Sequence, residues 1–224
     1  MISLRNFFRF LNLTVEVIDS DPTKKLVTPK LHKSLPKFML EEECIALLNS
    51  IGGTNKERDY CIFVLFINSG IRLSELVGLN YIDIDRQGNV VIRGKGSKER
   101  RIIFNKTCLE ALAEYEKFKE IHYQNKKRDR DAVFVGRTGK RLTARRIEQI
   151  VKQRITAAGF GGRALSPHKL RHTAATVMYR RGVDIRALQQ ILGHESLGTT
   201  QIYTHVSDAQ ITEAMTQSPI GRTN

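Results

Sequence analysis

The 224-residue sequence has no tryptophan, three cysteines, five prolines and fewer acidic than basic residues. Cys44, Cys61 and Cys108 are odd in number and far apart. They support neither a disulfide framework nor a zinc-ligand spacing, and they suit a reducing cytoplasm. Long apolar runs are also missing. Tyr60 to Ile67 is the longest and falls far short of a bilayer span. Arg5 and Arg9 interrupt the apolar start, which makes it a poor signal peptide. Low-complexity stretches and internal repeats are lacking too. What is present is a 41% hydrophobic content, enough to bury a core and to exclude a disordered tail. Against 23 Asp and Glu stand 37 Lys and Arg, a formal net charge of +14. Such an excess points to a polyanionic partner, nucleic acid first, and away from a membrane. The bland alternative is a soluble protein with a basic surface.

Leu4, Phe7, Phe8 and Leu11 have the spacing of an amphipathic helix. Asp19 to Lys37 holds Pro22, Pro29 and Pro36, so it reads as a linker. Residues 1–18 are therefore expected to be the last helix of an N-terminal module, 19–37 a linker, and 38–224 the main domain. Helices are predicted over Glu41–Asn49, Lys56–Ser69 and Ser74–Leu79, with Gly70 ending the second. The period then changes to that of strands. Ile82–Asp85, Val90–Arg93 and Arg100–Phe104 are separated by turns at Gln87-Gly88-Asn89 and Gly94-Lys95-Gly96, which predicts a three-stranded antiparallel meander. Further helices are expected near 107–125, 143–158, 167–181, 185–192, 198–204 and 208–216. The fold class is thus mainly α with one small antiparallel sheet (α+β).

The positive charge is clustered. Arg93, Lys95, Lys98, Arg100 and Arg101 lie on one hairpin, opposed only by Glu99. Arg137, Lys140, Arg141, Arg145, Arg146, Lys152 and Arg154 follow within eighteen residues, opposed only by Glu148. A charge run is commonly a solvated face, but two dense basic segments fit a groove that tracks phosphates. Arg93, Lys98, Arg100, Arg101, Arg141, Arg145 and Arg146 are the expected DNA-backbone contacts.

Four local features bear chemistry. Arg72 follows the helix-ending Gly70 among apolar neighbours, with Glu75 one turn on to orient its guanidinium, a fork suited to a phosphate. Lys95 is lifted between two glycines. It suits protonating a leaving oxygen or entering a groove, and equally an ordinary basic turn. Ser166 and Pro167 are a good N-cap and first helical residue, which sets His168 in a first turn that favours its neutral form and places Arg171 on the same face. His172 could compete with His168 and is read as structural. His194 lies just past the helix-ending Gly193 and Tyr203 within a short helix. Either can be packing rather than chemistry.

Taken together, Gly70-Ile71-Arg72-Leu73-Ser74-Glu75-Leu76, Pro167-His168-Lys169-Leu170-Arg171-His172-Thr173, Leu192-Gly193-His194 and Thr200-Gln201-Ile202-Tyr203-Thr204-His205-Val206 resemble the signatures of the tyrosine recombinase (phage-integrase) family. The resemblance covers about Leu35 to Met215 and is closest to the Xer and mobile-element integrase branch. It implies a site-specific recombinase acting on duplex DNA, free of metal, other cofactors and ATP. By that resemblance Tyr203 is the nucleophile that forms a 3′-phosphotyrosine link and frees a 5′-hydroxyl. Arg72 and Arg171 hold the non-bridging oxygens, His168 helps deprotonate Tyr203, Lys95 protonates the leaving oxygen, His194 hydrogen-bonds the phosphate and Glu75 supports Arg72. It also implies a bacterial, cytoplasmic, nucleoid-associated protein. This would be a monomer or weak oligomer when free and a homotetramer on DNA through exchange of the C-terminal helix 208–216. The N-terminal helix would be the remnant of a DNA-clamping module, in a catalytic-domain fragment or a naturally short member.

Two alternatives compete. A type IB topoisomerase shares the fold and the Arg, Lys, His and Tyr chemistry, although the residues at 200–206 favour the recombinase. A non-catalytic helix-turn-helix module, built from 168–181 and 185–192 across Gly182-Val183-Asp184, explains the charge but leaves Arg72, Lys95 and Tyr203 without roles. A metal nuclease lacks its carboxylate cluster, since Asp83 and Asp85 read as solubilising residues on a strand edge.

Overall fold

The computed structural model describes residues 2–24, 26, 38–93, 99–124, 128–192 and 216. Two compact units divide the chain at Pro36. The first contains α1 (Ile2–Leu13), an amphipathic helix as its apolar spacing predicts. In its last turn Asn12 Nδ2 donates to the Ile18 carbonyl at 2.8 Å, and beyond it Asp21 closes a local turn by accepting from the Thr23 amide at 2.8 Å.

The second unit is mainly helical, with α2 (Glu41–Asn49), α3 (Lys56–Ser69), α4 (Leu73–Gly78), α5 (Lys106–His122), α6 (Ala144–Ala157), α7 (Pro167–Arg180) and α8 (Ile185–Leu192) around one two-stranded sheet of β1 (Asn89–Arg93) and β2 (Glu99–Ile103). The helix α3 is central. Every residue from Cys61 to Ser69 is buried, and α3 packs against both α5 and α7. An unbroken apolar run with no polar face is what a helix covered on all sides requires. Its polar entry is fixed by ions. Asp59, 3% exposed, accepts from Arg58 Nε at 2.9 Å and from Arg154 Nε at 2.7 Å, which ties α3 to α6. The three cysteines are unbridged and buried, and burial pushes the Cys44 thiol up to about 12. None of the described helices is long and apolar enough to cross a membrane.

The sheet differs from the expected meander. Its two strands pair antiparallel with Asn89 opposite Ile103 and Arg93 opposite Glu99. The third segment is a 3₁₀ turn over Tyr81–Asp83 followed by a single bridge from Ile84 to Val90. Local bonds outcompete the ladder here. Asp83 Oδ2 accepts from the Asn80 amide at 3.0 Å, and Asp85 Oδ1 accepts from the amides of Gln87 and Asn89 at 2.8 and 2.9 Å. Both aspartates therefore close turns rather than solubilise a strand edge. Tyr81 is held from above, its hydroxyl engaged by Glu116 and by the buried Lys119 of α5. The expected helices near 198–204 and 208–216 lie outside the described residues, Thr216 apart.

Candidate active site

The turn between α3 and α4 sets the first arginine. Gly70 ends α3 in the left-handed region at φ 61°, and a Cβ there would stand 2.8 Å from Leu192 Cδ2 of α8. This close approach lets Arg171 of α7 reach the Gly70 carbonyl, to which it donates, while its other terminal nitrogen donates to the carbonyl of Leu192. Arg171 is buried, and Arg72, two residues past Gly70, has a side chain 40% exposed.

Glu75 organises the charges. Its Oε1 accepts from Arg72 Nη1 at 2.8 Å, and its Oε2 accepts from the Arg72 amide at 2.7 Å, which caps α4. The same Oε2 accepts from Arg100 Nη2 at 2.7 Å. Arg100 also donates through Nη1 to the Ile191 carbonyl, and its buried Nε has no hydrogen-bond partner among the described residues. Burial pushes the Glu75 carboxyl up, but Arg100 and the bonds from Arg72 outweigh it and hold the group below its ordinary value. Arg171 is pushed down to about 10, by burial first and then by the charges of Arg72 and Arg100. Three guanidiniums thus crowd one carboxylate, an arrangement that favours an arriving anion.

His168 stands exposed on the first turn of α7. Ser166 caps that helix, its hydroxyl accepting from the Lys169 amide at 3.4 Å, with Pro167 at the first position as predicted. His172 lies against Phe38, edge to face at 6.2 Å between ring centres, and burial with Lys169 and His168 lowers its pKa. That contact fits the structural role expected for it.

The structure brings Arg72, Glu75 and Arg171 together, with His168 one turn before Arg171. Lys95, Lys98, His194 and Tyr203 lie outside the described residues, as does the side chain of Arg93. Two expected DNA contacts are engaged by the protein itself. Arg100 faces inward to Glu75. Arg141 donates from Nη1 to the carbonyls of Val77 and Leu79 at 3.0 and 3.1 Å and from Nη2 to Asn80 Oδ1 at 2.5 Å, closing the end of α4. Arg101, Arg145 and Arg146 are exposed. Strand alternation was the signal for Arg100: it pairs with Ile92, and the neighbouring pair Val90–Ile102 shares that buried face.

The fold and site define a mainly helical domain in which arginines from separate elements gather around one buried carboxylate. The chain belongs to the phage integrase family, whose sequence profile matches residues 37–210. It is 43% identical over 221 residues to the tyrosine recombinase XerC of Caldanaerobacter subterraneus subsp. tengcongensis, covering 98% of this chain and 62% of that relative. Among solved structures it is similar to XerA recombinase, with a TM-score of 0.66, 30% identity, and coverage of 96% of this chain and 82% of that one. It is also similar to XerH site-specific recombinase bound to a palindromic difH substrate after cleavage. There the TM-score is 0.67 and the identity 28%, over 85% of this chain and 56% of that one.

Proposed function

We propose that the chain carries the strand-transfer domain of a site-specific DNA recombinase, residues 38–224, with residues 1–18 belonging to a DNA-clamping module and 19–37 linking the two. The observation that carries this reading is the meeting of Arg171 with the Gly70 carbonyl, two residues from Arg72, around the shared carboxylate of Glu75. Two guanidiniums held this way offer parallel donors to the non-bridging oxygens of one phosphodiester, where charge builds during displacement.

The tyrosine oxygen of Tyr203 attacks phosphorus, its proton passes to His168, and the bond to the 5′ oxygen breaks. That oxygen takes its proton from Lys95, and the 3′ phosphate stays on Tyr203. His194 donates a further hydrogen bond to the phosphate. Attack by a 5′-hydroxyl of a second strand reverses the steps without ATP. Arg101, Arg145 and Arg146, with Arg93 and Lys98, serve flanking phosphates, while Arg141 and Arg100 leave that set. On DNA, four copies linked through residues 208–216 would give the assembly such an exchange requires. The reading places the protein on the DNA of a bacterial cytoplasm.

The test uses a pool of nicked duplexes with random flanks, incubated with the full chain in EDTA. Adducts that survive denaturation are expected from the parent protein and absent from Tyr203→Phe. An adduct from Tyr203→Phe would remove Tyr203 as nucleophile, and one that requires Mg²⁺ would overturn the chemistry.

A further inference from the structure

Within β2 the side chains alternate. Arg101 faces solvent, whereas Arg100 shares a face with Ile92, Ile102 and Val90, all of them buried. A guanidinium on the core face of a hairpin is costly unless partners are built for it. Two are present, and both belong to the site. One is Glu75 Oε2 at 2.7 Å, on the carboxylate that also grips Arg72. The other is the carbonyl of Ile191, in the last turn of α8, beside the Leu192 carbonyl held by Arg171. The last carbonyls of a helix have no partner within it. Here the two arginines supply donors from outside, and the chain continues from that point towards His194 and Tyr203.

We propose that Arg100 is a positioning residue of the strand-transfer site and not a DNA-backbone contact. Through Glu75 it fixes the Arg72 guanidinium, and through the Ile191 carbonyl it fixes the end of α8 against Arg171. It thereby ties the hairpin that bears Lys95 to the elements that bear the other reacting groups. This rests on the reading of the site as a DNA strand transferase. Arg100 spans three elements distant in sequence, β2, α4 and α8. Its second bond explains why a lysine would be a poor substitute, since a single ammonium lacks the fork that serves Glu75 and Ile191 together.

The probe is a nicked duplex recovered from the random pool as an adduct of the parent protein. If the parent protein yields no adduct, the functional reading fails before Arg100 is at issue. With an adduct in hand, single-turnover cleavage at saturating DNA is measured beside the dissociation constant over a salt series. Arg100→Ala is expected to slow cleavage by about 10- to 100-fold, the scale of a catalytic group misplaced by about 1 Å. Its dissociation constant and salt slope should match the parent. Arg101→Ala, on the neighbouring outward position, should weaken binding and make the slope shallower by about 1. A shallower slope in Arg100→Ala would make it a phosphate contact and overturn the proposal, as would an unchanged cleavage rate. Should Arg100→Ala fail to fold, Arg100→Lys decides. An intermediate rate with the parent slope supports the positioning role, and a full rate or a shallower slope refutes it.

Discussion

A carboxylate with 5% of its side chain exposed is costly to keep charged, and Glu75 is kept charged by the cations it holds. Removing it leaves Arg72 and Arg100 facing each other beside Arg171. We expect Glu75→Ala to lower unfolding stability by about 3 kcal/mol in urea titrations, the low end for a broken buried pair because Arg72 is partly exposed. The pH dependence has a definite sign. The folded carboxyl sits below its ordinary value of 4.5, so its stabilisation is fully present above that pH. It is lost as pH falls through the lowered folded value. The stability gap between the parent and Glu75→Gln should therefore be constant above about pH 5 and shrink in acid. A gap that stays constant into strong acid would show that the carboxylate charge contributes nothing. The arginine and glutamate of this cluster were legible from the run 70–76, because a helix-ending glycine, an arginine and a glutamate one turn on are local in sequence. Alternation could have turned Arg100 inward, but its partners were not legible, because they lie 25 and 91 residues away.

At the scale of elements, the helices were legible because their ends carry local chemistry. Ser166 with Pro167 starts α7, and Gly70 stops α3. The segment over 82–85 was misread as a strand because its alternation of isoleucine and aspartate satisfies a strand pattern, while each aspartate prefers a backbone amide nearby. The internal bonds of Arg141 were not legible for a different reason. A basic residue in a basic run looks solvated, yet its guanidinium closes α4 and thereby supports the helix that carries Glu75. Arg141→Ala should cost about 1.5–3 kcal/mol, the worth of hydrogen bonds from a charged donor, when measured by urea unfolding. Loss of less than about 0.5 kcal/mol, the level of an ordinary surface substitution, would show those carbonyls to be served equally well by water.

For the whole molecule, the net charge of +14 divides by what the side chains touch. Arg58 and Arg154 are consumed by Asp59, Arg141 by the end of α4, and Arg72, Arg100 and Arg171 by the site. Composition alone cannot make that division, since an arginine counts the same whether it holds a helix end or faces water. Arg101, Arg145 and Arg146 remain on the surface, on β2 and the first turn of α6. If they track DNA phosphates, each contact releases counterions, and the logarithm of affinity falls with the logarithm of salt by about 0.9 per phosphate. The triple variant Arg101→Ala, Arg145→Ala, Arg146→Ala should therefore bind the recovered duplex with a slope shallower by about 2 to 3. Its deficit should be largest at low salt and close towards high salt, where counterion release drives little of the binding. Arg141→Ala, by contrast, should keep the parent slope wherever it is folded. An unchanged slope in the triple variant would mean that these three arginines are a solvated face, and that the phosphates are met by other basic residues.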